Sequence, residues 1–218
     1  MYLLTETASP FALERWAAFF ANFGQFAKGF FYTLGISIGA LIVALLLGLI
    51  FGAMSSTHNK VLRGISRVYV EIFQNTPLLV QFVVVFYGIS ILTDGHIMIP
   101  ISLTAILCVG VYTGAYISEI IRTGIEAVPK GQTEAALSQG FTYADTMRII
   151  ILPQAVRTIL PPLTNQVVNL IKNTSTVAII SGADIMFTAK AWAYDTTNYV
   201  PAFAGAAFLY FIMCFPLA

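Results

Sequence analysis

Apolar residues run through this chain in long blocks, and the few charged residues fall between them. Gly29 to Asn59, Ile72 to Thr93 and Ile97 to Ser118 contain no charged side chain, and each exceeds the ~20 residues a helix needs to cross a bilayer. A fourth block, Thr158 to Ala183, is interrupted only by Lys172, and a fifth, Thr196 to Ala218, carries no charge. These blocks predict about five transmembrane helices in an all-α integral membrane protein. For the last two the alternative is a re-entrant or broken segment, because Pro161, Pro162, Pro201 and Pro216 remove helix donors.

Basic residues orient the spans, since cytoplasmic loops hold the excess of Lys and Arg. Lys60, Arg63 and Arg67 lie between blocks one and two, and Arg122, Lys130, Arg148 and Arg157 between three and four. Those loops are expected inside. Arg15, Lys28, Lys172 and Lys190 then fall outside, with the amino terminus outside and the carboxyl terminus cytoplasmic. Residues 1–28 do not read as a cleavable signal, because no basic region opens them and Glu14 and Arg15 interrupt their apolar part. Phe11, Trp16, Phe19, Phe20, Phe23 and Phe26 suggest an interfacial helix on the outer face, or simply the flank of the first span. The expected division is thus 1–28 as an interfacial segment and 29–218 as the transmembrane domain.

Composition narrows the classes. Only 10% of the residues are charged against 58% hydrophobic, far from the ~25% charged share of soluble domains. A net charge of +1 gives no basic face for nucleic acid. Cys108, Cys214, His58 and His96 are isolated from one another, so neither a disulfide framework nor a metal site is expected. No phosphate-loop pattern occurs, which places ATP binding on another polypeptide. The first three blocks hold no carboxylate of the kind ion-coupled carriers keep at mid-membrane. Three Gly-x-x-x-Gly spacings, Gly35 with Gly39, Gly48 with Gly52 and Gly110 with Gly114, would permit close helix contacts.

The one long polar stretch runs from about residue 119 to 153 and holds Glu119, Glu126, Glu134 and Asp145. Pro129 and Gly131 break what precedes, and Thr133 stands ready to cap a short helix through Leu137 that Gly140 ends. Thr142 and Asp145 form a Thr-x-x-Asp cap for a second short helix, stopped or kinked at Pro153. Glu134, Ala135, Ala136, Gly140, Ile150, Leu152 and Pro153, in that spacing, resemble the EAA motif of ABC importer permease subunits. GAYISEIIRTGIEAVPKGQTEAA from Gly114, NTPLLVQ from Asn75 and KNTSTVAIISGADI from Lys172 resemble its polar amino-acid branch. Gln139 departs from the apolar residue common there. An ordinary amphipathic loop resting on headgroups would not require the whole spaced set.

The resemblance implies the ABC importer permease fold in a bacterial inner membrane, with this loop as a coupling element docked on cytoplasmic ATPase subunits. Those subunits would bind the ATP and magnesium, and this chain, not itself an enzyme, would need no cofactor. An extracytoplasmic solute-binding protein and a second permease copy, or a similar chain, would complete the importer. Asn165, Asn169 and Lys172 recur at i, i+4 and i+7 on one helix face. With Thr174, Ser175 and Gln81 they are the candidate substrate path, the alternative being helix-joining amides and a snorkelling lysine. No acid lies between Asp145 and Asp184, which favours neutral or acidic amino acids over basic ones. A passive channel or ion-coupled carrier is the competing function, and a scaffold without transport a third.

Overall fold

A computed structural model describes Ser9 and residues 11–217. Residues 1–8 and 10 of the expected interfacial segment, and Ala218, lie outside them. The described residues form helices and their connections, without strands. The α-helices are α1 (Leu13–Ala21), α2 (Phe23–Ser55), α3 (Lys60–Gln74), α4 (Leu78–Val83), α5 (Ile89–Leu92), α6 (Ile101–Glu126), α7 (Lys130–Ser138), α8 (Tyr143–Asp145), α9 (Leu152–Asn173), α10 (Ile185–Thr196) and α11 (Tyr199–Cys214). Two π-helical turns, Val84–Gly88 and Thr146–Ile151, join α4 to α5 and α8 to α9, and a 3-10 turn, Thr174–Ile180, follows α9.

Among the described residues three helices are long and apolar enough to cross a membrane, namely α2, α6 and α11 with its 3-10 extension to Leu217. The second block is not one straight rod: α3 and the run Leu78–Leu92 are bent by 96° and make a fourth span only as a broken pair. Pro77 explains the break, since it cannot donate to Phe73 and disfavours helical geometry in Thr76. The fourth block becomes α9, a 22-residue helix that is long enough to cross but too polar to qualify by composition. The first span begins at Phe23 instead of Gly29, because Lys28 is an exposed residue inside helical backbone.

The packing axis is the α2–α6 pair. A Cβ on Gly48 would come within 2.4 Å of Ile117 Cγ2, one on Gly52 within 2.8 Å of Ile121 Cβ, and one on Gly110 within 2.7 Å of Val43 Cβ. Small residues bring the two backbones together where lipid offers no hydrophobic drive. Ala40 and Ala44 of α2 and Val109 of α6, all fully buried, extend the same seam. Gly35 has open space where its Cβ would be and takes no part. A second core joins α1, the start of α2, α9, α10 and α11 around Phe19, Phe26 and Trp192, with the Phe19 and Phe26 ring centroids 4.8 Å apart. Phe11 and Phe20 point outward.

Helix α3 is sewn to both partners of the central pair. Ser66 Oγ donates to Phe51 O at 2.7 Å, Tyr69 Oη to Val111 O at 2.7 Å and Gln74 Nε2 to Ala115 O at 3.2 Å.

Candidate coupling loop and translocation face

The loop after α6 is built from local hydrogen-bond chemistry. At its start Arg122 forks between Glu119 and Glu126 on the same helix, its Nη1 reaching Glu126 Oε2 at 2.5 Å, in the spacing at which helix neighbours meet. Pro129 then precedes α7, which opens at Lys130, three residues before the expected cap at Thr133. It ends as the sequence pattern predicts: Gly140 N–H donates to Leu137 O at 3.0 Å and Phe141 N–H to Ala136 O at 3.1 Å. Those two bonds are the Schellman arrangement, and they require a left-handed residue at Gly140, whose φ is +87°.

Thr142 opens the second helical run. Its Oγ1 accepts from Asp145 N–H at 3.2 Å and donates to Asp145 Oδ2 at 2.5 Å. Pro153 does not stop this run. The π turn Thr146–Ile151 runs directly into α9 with helical backbone at Ile151, and Pro153 is the second residue of α9. Glu134, Ala135, Gly140, Leu152 and Pro153 are exposed, Ala136 is buried and Ile150 half-buried. Glu134 supplies no cap. Its carbonyl accepts from Ser138 Oγ at 2.8 Å, and its carboxylate is left to the surface.

The path residues divide into two groups. Asn165, Asn169 and Lys172 are all exposed on α9, with Asn169 Nδ2 bonded to Gln166 Oε1 at 3.3 Å. Pro161 and Pro162 in the same helix remove amide donors that would reach the carbonyls of Arg157 and Thr158. Lys172 and Ser175 border a groove of about 300 Å3 walled by Met186, Phe203 and Tyr210. Thr174 instead is buried, its Oγ1 donating to Ile171 O at 2.6 Å. Gln81 belongs to the bend: its Nε2 donates to Phe73 O, Thr76 O and Thr76 Oγ1, bridging the break at Pro77.

Sequence reasoning missed Asp184, Tyr210 and Thr33. Asp184, fully buried, caps α10 by accepting from Phe187 N–H at 3.0 Å and Met186 N–H at 3.2 Å. Tyr210 Oη donates to the same carboxylate at 3.2 Å, and Thr33 Oγ1 accepts from Ile185 N–H. Asp184 directly before an apolar helical run was the available signal.

Helical spans that end in a paired-helix loop of this build, beside a polar face on α9, define the membrane subunit of a transporter. Residues 44–218 match the family described as "Binding-protein-dependent transport system inner membrane component", and the chain belongs to that family. It is the permease subunit of an ABC importer. Its relatives carry amino-acid permease names. It is 38% identical over 202 residues to the "Probable glutamine ABC transporter permease protein GlnM" of Bacillus subtilis, covering 91% of each chain. It is 35% identical over 187 residues to the "Glutamate/aspartate import permease protein GltJ" of Escherichia coli, covering 78% of this chain and 76% of that one. The solved "amino acid ABC transporter with histidines" superposes with a TM-score of 0.85 at 32% identity over 93% of both chains.

Proposed function

We propose that the chain imports polar amino acids of the glutamine and glutamate kind, as half of a path completed by a second permease chain. The observation that carries this is the exposed face of Asn165, Asn169 and Lys172, an amide and ammonium stripe on a helix amid apolar spans. Such groups face a protein interior or a wet cavity at membrane depth, and this chain leaves them uncovered. Lys172 favours a carboxylate-bearing solute. Gln81 serves the path indirectly, by holding the bend, and Thr174 and Ser175 shape its far end.

Coupling runs through Glu134, Ala135, Ala136, Gly140, Ile150, Leu152 and Pro153. Their surface rests in a groove of a separate ATPase, which holds ATP and magnesium, while an extracytoplasmic solute-binding protein delivers the amino acid. The loop 119–153 is cytoplasmic, the amino terminus outside and the carboxyl terminus inside. The described residues before Phe23 form the outer-face segment, and the permease domain begins with α2.

The test is uptake of labelled L-glutamine and L-glutamate into vesicles carrying the permease with its ATPase. Accumulation is expected only with both ATP and binding protein. Equal flux without ATP would establish the passive channel instead, and flux that follows an ion gradient the coupled carrier.

A further inference from the structure

A cavity of about 560 Å3 opens between the α2–α3 turn, the end of α6 and the coupling loop. Its volume lies in the range of small-molecule sites. Three separate pieces of chain bound it: His58 from the turn, Glu126 from α6, and Lys130, Tyr143, Met147 and Ile151 from the loop. The His58 and Tyr143 rings pack with centroids 5.1 Å apart, so this contact ties the turn to the loop at the cavity wall.

The lining selects among ligands by charge. Glu126 and Lys130 place one anion and one cation in the same cavity, on either side of the break at Pro129. Arg122 donates to Oε2 of Glu126, so a ligand's ammonium would share that carboxylate with Arg122, and the ligand's own carboxylate would meet Lys130. A nucleotide or other polyphosphate would need several cations and no carboxylate. Met147 and Ile151 add an apolar surface for the aliphatic part of a side chain.

We propose that this cavity is a second, low-affinity site for a free zwitterionic amino acid arriving from the coupling-loop side. The proposal rests on the amino-acid reading given above. An occupant would touch both the spans and the coupling loop, and would favour whichever of their arrangements holds the cavity open. Rising product would thereby slow the importer from the side to which it delivers.

The experiment uses the complete permease–ATPase complex in nanodiscs, without binding protein, and measures equilibrium binding of labelled L-glutamine. Saturable binding with a Kd on the order of 1 mM is expected, weakened about tenfold by Glu126→Gln or Lys130→Gln and unchanged by Lys172→Gln. Should either loop variant fail to assemble with the ATPase, His58→Leu, which lies outside that loop, carries the same expectation. In vesicles, L-glutamine on the coupling-loop face should slow ATP hydrolysis in the unaltered complex. Absence of saturable binding up to about 10 mM overturns the proposal, as does binding abolished by Lys172→Gln and indifferent to the cavity variants. A failure of the amino-acid reading shows differently, as an importer that does not take up L-glutamine or L-glutamate at all.

Discussion

Gly140 is the residue on which the coupling loop turns, for a backbone and not a steric reason. Nothing lies within 4 Å of where its Cβ would be, so a side chain there meets open space and the whole penalty comes from φ at +87°. A β-carbon in left-handed geometry costs about 1–2 kcal/mol, and asparagine tolerates that region better than leucine. Gly140→Leu should therefore abolish most ATP-driven uptake at normal membrane insertion, while Gly140→Asn restores much of it. If both variants fail equally, obstruction at the ATPase surface governs this position; full uptake by Gly140→Leu removes the loop from coupling. Asn169 offers the matching test on α9. Asn169→Leu keeps approximate bulk and deletes an exposed amide, so a lipid-facing position would accept it or gain stability. Reduced uptake with intact assembly is expected, and Lys172→Gln should reduce glutamate uptake more than glutamine uptake. Unaltered transport in both would take the face out of the path.

Among elements, the α2–α6 seam and the broken α3–α4 pair show how far pattern alone reaches. Gly48→Ala would force its new methyl against Ile117, and overpacking of this kind costs about 1–3 kcal/mol. Gly35→Ala, in open space, should be neutral. Thermal unfolding of the two purified variants separates them, and equal loss would deny the seam its role. Gly35 and Gly48 each begin a Gly-x-x-x-Gly spacing in the sequence, and only the fold distinguishes the one that packs. The α2, α6 and α11 spans were legible because long apolar runs report burial in lipid directly. The bend was not: Pro77 announces a break, whereas nothing in the pattern gives its 96° angle or the Gln81 side chain that bridges it to Phe73 and Thr76. Asn59, Thr142 and Asp184 cap their helices through their own side chains, and among the expected loop features it was the Thr142 cap and the Gly140 end that local chemistry alone could predict. Pro153 misled because the π turn before it, which lets the helix continue, depends on no residue type that pattern singles out.

For the whole molecule, the orientation is open to direct chemistry. With Cys108 and Cys214 replaced, a cysteine at Ser56 or Gly131 should be shielded from an impermeant thiol reagent in intact cells, and one at Thr93 should react. Labelling of Gly131 from outside would reverse every span, since no loop rich in Lys and Arg should face outward. The π turn Thr146–Ile151 also fixes an azimuth. It holds one residue more per turn than an α-helix, and each residue of helix carries about 100° of rotation. The direction in which Asn165, Asn169 and Lys172 look, measured from the Gly140 turn, is thus set like the hand of a clock by a single residue of register. Closing all six residues of that run as plain α-helix would swing that hand by about a quarter turn while leaving every residue of the stripe in place, and deleting one residue as the run closes would cancel most of the swing.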